Sequence, residues 1–183
     1  MFTSTTPPNN GQLIADALTL LLSSEYLLYT KTRNAHWHIK GHAITDREPF
    51  FDSQFKELAE IIDTVGERVR KRGCYAEAML NAYQSVSNAV EIKFDRNDTN
   101  GYVNELLSDH NAIMKNLRAN IISFSTVPGS TPTGDFLAIL IERHDAMVLI
   151  LKSRLKTQRA VNPNEIRAAR FHATAEKQLI HAF

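Results

Sequence analysis

Four long stretches of the chain repeat apolar residues every three or four positions, the spacing that lines up side chains on one face of a helix. The first runs from residue 12 to 39 and the second from Thr45 to Gly73. The third starts at Asp98 or Thr99, and the fourth covers about 132–158. No strand pattern or repeat competes with them, so the sequence predicts an all-α fold.

Local signals mark where these helices begin and end. Gly41 follows the first helix, as expected at a helix C-terminus. The second begins at Thr45, where Thr45-Asp46-Arg47-Glu48 fits a capping box. Thr131-Pro132 opens the fourth as an N-cap followed by proline at the first helical position.

The link between the second and third helices spans about 25 residues and holds a predicted short helix over 76–84. One long crossover of this kind is typical of a ferritin-like four-helix bundle. We therefore divide the chain into a tail over 1–11, the bundle over 12–158 and a C-terminal tail over 159–183. This last tail holds a short helix that starts near Asn162-Pro163-Asn164-Glu165.

Composition excludes several classes of protein. Lys and Arg number 21 against 20 Asp and Glu, so the net charge of +1 gives no overall field for polyanions or membranes. Cys74 is the only cysteine, which excludes a disulfide framework and a thiolate metal cluster and fits a reducing cytoplasm. The first twelve residues lack the features of a signal peptide, and no uninterrupted apolar run reaches membrane-spanning length. We expect a cytoplasmic protein with no membrane partner.

The second predicted helix carries an acidic stripe. Offsets of 4, 11 and 4 residues place four acids on one face: Glu48, Asp52, Asp63 and Glu67. Carboxylates bind hard metal ions, and His36 near the end of the first helix shifts the preference towards a transition metal such as iron. The alternative is a solvated face, in which Asp63 and Glu67 form surface ion pairs with Arg68 and Arg70.

Helix length limits how a metal site can form. Asp52 and Asp63 are about 16 Å apart along one axis at 1.5 Å per residue, too far to share one ion. Two antiparallel copies of this helix across a two-fold axis would bring the end with Glu48 and Asp52 in one chain against the end with Asp63 and Glu67 in the other. The sequence thus predicts two equal sites, each shared between two chains.

Specific motifs then resemble a known family. They are Asn34-Ala35-His36-Trp37, Gly41, Phe51-Asp52, Asp63 and Gly66-Glu67-Arg68, with Leu28-Tyr29-Thr30-Lys31-Thr32-Arg33 before them. Over 12–158 the chain resembles the Dps family, the mini-ferritins named for protecting DNA in starved cells. In that family a ferroxidase centre lies between two subunits.

The resemblance implies a ligand set of His36 and Asp52 from one chain with Asp63 and Glu67 from the other. It implies two iron ions per centre and catalytic roles for His36, Asp63 and Glu67. The family's second histidine falls on Glu48 here. Two interpretations of Glu48 stay open: it ligates iron, or it caps the second helix.

Further expectations follow from the same resemblance. Fe(II) is oxidised mainly by hydrogen peroxide, or by oxygen, and ferric mineral is stored in a spherical shell of twelve subunits, which protects against oxidative stress. Acids on the fourth helix would line iron-entry pores, although they could instead complement a helix dipole: Asp135, Glu142 and Asp145. Trp37 matches an aromatic shield beside the centre, with a core tryptophan as the alternative.

DNA binding is expected to be weak, because the first lysine is Lys31, inside a helix, and no lysine-rich tail precedes it. Nucleoid association stays a secondary hypothesis. No glutamate has a histidine three residues later, so the sequence does not support a di-iron centre within one subunit. The rival functions are a structural or DNA-coating oligomer whose centre is inactive because of Glu48, and a cage that binds zinc or manganese.

Overall fold

The structure, a computed structural model, describes residues 10–38, 49–76 and 99–160. Four helices occupy these residues: α1 (Asn10–His38), α2 (Pro49–Lys71), α3 (Thr99–Phe124) and α4 (Thr131–Ala160). No strand occurs in the described ranges, so the all-α prediction and its four long helices are confirmed. The predicted crossover helix, the Thr45 to Glu48 capping box, Gly41 and the C-terminal tail lie outside the described residues, apart from residue 76 at the crossover's edge and residues 159–160, which belong to α4.

The helices pack as two pairs. α1 lies along α2 and α3 lies along α4, while the two pairs meet mainly through α1 and α3. α2 and α4 make few contacts with each other. One core fills the space between the helices, and its largest fully buried apolar side chains come from all four: Phe51, Ile14, Leu18, Leu28, Leu58, Ile61, Leu106, Leu117, Leu137, Leu140 and Leu151. The predicted four-helix bundle is confirmed.

α1 is the most apolar of the helices. Among the described helices it alone is long and apolar enough to cross a membrane, a property that core helices of globular proteins share. Its buried face, through Ile14, Leu18 and Leu28, packs into the bundle, whereas Leu13 and Leu20 are exposed. The apolar residues of α1 are thus partly explained by the core that it fills.

A half-buried ion cluster joins α1 to α3. Lys31 Nζ lies 2.8 Å from both Glu105 Oε1 and Asp109 Oδ2. Burial alone lowers the pKa of Lys31, but the two carboxylates raise that pKa overall. Burial raises the pKa of Asp109, against the opposing effect of Lys31. The cluster therefore fixes how α1 sits along α3.

The helix ends follow the expected chemistry with one correction. α2 ends at Lys71, and Gly73 follows it at a φ of +80°, with its N–H donating to Arg70 O at 2.9 Å, as is typical after a helix C-terminus. The predicted start of α4 was one residue late, because the carbonyl of Ser130 accepts the N–H groups of Thr133 and Gly134 at 2.7 and 3.1 Å. Ser130 is therefore the residue that precedes the helix.

Two glycines should respond in opposite directions to alanine. Gly73→Ala is expected to lower the free energy of unfolding by about 1 kcal/mol, because a Cβ is strained at positive φ. Gly134→Ala should raise it by up to about 1 kcal/mol, since Gly134 lies within α4 and open space surrounds its Cβ position. Chemical denaturation of both variants beside the wild type checks the pair; equal signs would contradict these helix ends.

Candidate metal centre

The structure brings His36 and Asp52 together. His36 lies in the last turn of α1, and its Nε2 is 3.5 Å from Oδ1 of Asp52 in the first turn of α2. Two ligands of one divalent transition metal, each about 2.1 Å from it, stand about 3 to 3.5 Å apart. The imidazole is 12% exposed and the carboxylate 48%, so the pair is held by the bundle on one side and open on the other. We call this pair the first half-site.

An aromatic cluster holds the first half-site in place. The ring of His36 packs edge-on against Phe55, with ring centres 5.7 Å apart, and Tyr29 packs against Phe55 at 6.4 Å. The guanidinium of Arg33 lies 4.5 Å from the Phe55 ring centre and 5.3 Å from that of Trp37. Trp37 is 62% exposed, so its interpretation as a core residue is wrong for the single chain.

Asp63 and Glu67 are both exposed on α2, where they line an open groove with the apolar side chains of Leu22, Tyr26 and Ile62. We call these two acids the second half-site. Glu67 Oε2 lies 3.7 Å from Lys71 Nζ, but both side chains are about 70% exposed, so this ion pair is weak. The second half-site therefore offers carboxylates at an accessible surface.

The predicted surface ion pairs of Asp63 and Glu67 with Arg68 and Arg70 do not form in the described part of the structure. Arg68 donates to the carbonyl of Pro132 and lies over the ring of Phe136. Arg70 donates to the carbonyl of Cys74 and lies over Tyr75. Both guanidinium groups thus have bonds to groups other than the acids of the second half-site.

Neither half-site is a complete metal site. Within the described ranges, no three His, Cys, Asp or Glu side chains are placed to hold a metal ion. The half-sites also lie at opposite ends of the same helix, about 16 Å apart. Glu48 lies outside the described residues, so both interpretations of Glu48 stand as predictions.

The three acids proposed for a pore lie on α4, and two of them face different neighbours. Asp135 is exposed near the start of the helix. Glu142 lines a groove between α2 and α4 with Gln54 and Glu57. Asp145 Oδ2 lies 3.7 Å from Arg118 Nη2 of α3, and both are exposed. Their role in a pore stays a prediction.

Sequence reasoning missed a set of ionisable residues in the middle of the bundle. Glu25 of α1, His110 of α3 and His144 of α4 are each 0% exposed and bind one another. The signal was present, because each occupies an apolar position: His110 falls between Leu106 and Ile113 at the helical spacing of that stripe. We call these three residues the buried trio.

Comparison with known proteins fits this architecture. A family model described as the ferritin-like domain matches residues 15–159. An uncharacterised low temperature-induced protein of Nostoc sp. is 29% identical over 143 residues, covering 78% of this chain and 79% of that protein. The DNA protection during starvation protein 2 of Bacillus anthracis is 26% identical over 109 residues, covering 60% of this chain and 73% of that protein.

A solved structure agrees. The Dps protein of Vibrio cholerae O1, described as a member of a broad superfamily of ferritin-like diiron-carboxylate proteins, superposes with a TM-score of 0.69 at 21% identity. The match covers 84% of this chain and 99% of that one. The chain therefore belongs to the ferritin family, through a ferritin-like domain over residues 15–159, and has the fold of the Dps proteins.

Proposed function

We propose that this protein oxidises Fe(II) at centres shared between two subunits and stores the iron as ferric mineral inside a hollow, twelve-subunit shell. One observation carries the proposal. A histidine and a carboxylate face each other at 3.5 Å at one end of α2, and two accessible carboxylates lie near its other end. A second chain is needed to join the two kinds of half-site.

The relatives support the general role. The ferritin family supports iron storage, and the Vibrio cholerae protein of the same fold is described as related to diiron-carboxylate proteins. The groove beside the second half-site also suits a subunit contact, since Leu22, Tyr26 and Ile62 line it. An antiparallel α2 from a second copy would lie against this open groove and bring its own His36 and Asp52 beside Asp63 and Glu67.

Each ligand has a chemical task with iron as the substrate. His36 supplies the nitrogen that favours Fe(II) over hard ions such as magnesium. Three carboxylates, Asp52, Asp63 and Glu67, offset the positive charge of the metal and stabilise Fe(III), which is the harder ion. Two Fe(II) ions each lose one electron to hydrogen peroxide, whose O–O bond breaks and which takes up two protons to give two water molecules. This two-electron route releases no hydroxyl radical.

Fe(II) oxidation by the full-length protein tests the proposal. Anaerobic Fe(II) is mixed with hydrogen peroxide, and ferric absorbance is followed by stopped flow. The wild type should form ferric iron faster than buffer does. A variant with His36→Ala and Asp63→Ala should fall to the buffer rate, since it lacks a ligand in each half-site. Asp16→Asn, which alters an exposed acid of α1, serves as the control and should match the wild type.

The outcome separates the rival functions. If the double variant oxidises iron as fast as the wild type, the half-sites are not the centre and the ferroxidase proposal fails. If the wild type oxidises Fe(II) no faster than buffer, the result favours a structural or DNA-coating oligomer. Metal analysis of the purified protein would identify a zinc or manganese cage by bound metal that the same double variant lacks.

A further inference from the structure

The buried trio forms a line of hydrogen bonds across three helices. Glu25 Oε1 of α1 lies 3.0 Å from His144 Nε2 of α4. On the other side of the same imidazole, His144 Nδ1 lies 2.9 Å from His110 Nδ1 of α3. Among the described residues nothing bonds to Glu25 Oε2 or His110 Nε2, although both atoms are buried. The trio is therefore buried, and no further side chain of the described ranges bonds to it to share a charge.

The three side chains form a chain of hydrogen bonds and do not surround a point where a metal ion could bind. The three side chains meet in pairs on opposite sides of the His144 ring, so they do not converge on one point. This agrees with the absence of a metal-holding group within the described ranges. Each bond of the trio is a hydrogen bond, so its members hold a proton between them.

The net charge of the trio depends on how many protons its three side chains hold, and it is zero for one number of protons only. With one proton shared between the two imidazoles, a single imidazolium matches the Glu25 carboxylate charge, whichever ring nitrogen donates in the bond between His110 and His144. Moving the shared proton onto Glu25 keeps the same total. An extra proton on His110 leaves a net positive charge inside the core, and a core charge without a partner is very costly.

We propose that the buried trio is a pH-operated latch, which ties α1 to the paired helices α3 and α4 at neutral pH and opens when acid adds a second proton to the trio at His110. The bond between Glu25 and His144 joins helices that are distant in sequence, and both of its ends are fully buried. A second proton, taken up at His110 beside the one that the trio already shares, is therefore possible only if the helices separate or the core takes up an unpaired charge.

The neighbouring charges do not remove this cost. On the same helices, Lys31 is bound to Glu105 and Asp109, which leaves that cluster as a closed ion network of its own. Among the described residues of α2, no ionisable side chain hydrogen-bonds to the trio, and the buried Gln54 donates to the carbonyl of Met147. Glu25 and His144 are thus the ionisable groups bound in the chain of bonds that reaches His110.

The sign of the pH effect follows from burial. Burial, together with the nearby His144, lowers the pKa of His110 from 6.5 to about 3. In the unfolded chain His110 has its ordinary pKa, so below pH 6.5 the unfolded state binds a proton that the folded state refuses. The latch is fully closed above pH 6.5, and its contribution is lost progressively as the pH falls towards 3.

A comparison of unfolding at several pH values tests the latch. Wild type, His110→Gln and Leu117→Ala are unfolded by urea at one fixed protein concentration and followed by circular dichroism. The unfolding constant of the wild type should rise, relative to that of His110→Gln, by about tenfold per pH unit as the pH falls from 6 to 4. Leu117→Ala, a core change on the same helix, should keep the wild-type slope. Parallel curves for wild type and His110→Gln would overturn the proposal.

Two further measurements test the latch without relying on the His110→Gln variant alone. His110→Leu places a neutral side chain of similar size at the same position and should show the same shallow slope. In the wild type alone, amide exchange in α3 around His110, corrected for intrinsic rates, should lose protection by about tenfold per pH unit. Amides of α2 around Leu58 should lose less. Unchanged protection in α3 between pH 6 and 4 would contradict the latch even if no variant folded.

Discussion

Mixing two inactive variants is expected to restore about a quarter of the wild-type rate of Fe(II) oxidation. The first carries His36→Ala with Asp52→Ala, and the second carries Asp63→Ala with Glu67→Ala. Each variant alone should oxidise Fe(II) no faster than buffer, because every site in its assemblies lacks one half. The measurement is ferric absorbance after the two chains are unfolded together, refolded and mixed with Fe(II) and peroxide.

The recovered fraction follows from counting sites. Random pairing makes about half of the dimers mixed, and a mixed dimer holds one site with both halves intact and one with both halves lost. About one site in four is therefore complete. A site contained within one chain would show no recovery at all, which makes the experiment specific to the shared geometry.

A matched control uses a chain that carries all four substitutions. Mixed with either of the two variants, this chain completes no site, so its mixtures should stay at the buffer rate. Native mass spectrometry establishes that mixed dimers form. If they form and the first mixture still shows no activity, the half-sites do not meet across the dimer and the proposed centre is wrong.

Removing the middle residue of the buried trio should cause the largest loss of stability. His144→Leu leaves Glu25 in the core without its only described partner, a change that typically costs about 3 to 5 kcal/mol of unfolding free energy. The triple change to leucine at positions 25, 110 and 144 should recover most of this loss, because an apolar core of similar volume needs no charge partner. Urea denaturation at pH 7 measures both.

A core variant that leaves the trio intact shows whether the recovery of stability is specific to the loss of an ionisable partner. Leu140→Ala lies one turn before His144 on α4 and should cost about 2 to 5 kcal/mol through a cavity. Adding the leucine substitutions at 25 and 110 should not restore that variant. If the triple leucine chain is as unstable as His144→Leu alone, the loss comes from packing and not from an uncompensated charge.

The helices were predictable because each apolar stripe is long and its ends carry recognisable signals. α1 begins and ends within about two residues of the predicted positions, and α3 begins at Thr99, one of the two predicted starts. The family resemblance placed His36 and Asp52 in the same chain's half of the centre, and in the structure they lie 3.5 Å apart. Family resemblance then assigned roles that periodicity alone does not give.

The buried trio was missed for a physical reason. Sequence patterns treat glutamate and histidine as surface residues, because burying an ionisable group is costly unless a partner is present. Here the partners come from three helices, and Glu25 and His144 are 119 residues apart. A single sequence shows such positions only as polar interruptions of an apolar stripe, without showing which interruptions meet.

The pairing of the helices also sets an order of folding. α1 with α2, and α3 with α4, are neighbours in sequence, so each pair closes at a small cost in chain entropy. The contacts that join the pairs are distant: Lys31 and Asp109 are 78 residues apart, and Glu25 and His144 are 119 apart. We expect the two helical pairs to collapse first as separate units. The docking step that follows must then dehydrate two charged clusters at once, which makes the joining of the pairs the slow step of the folding reaction.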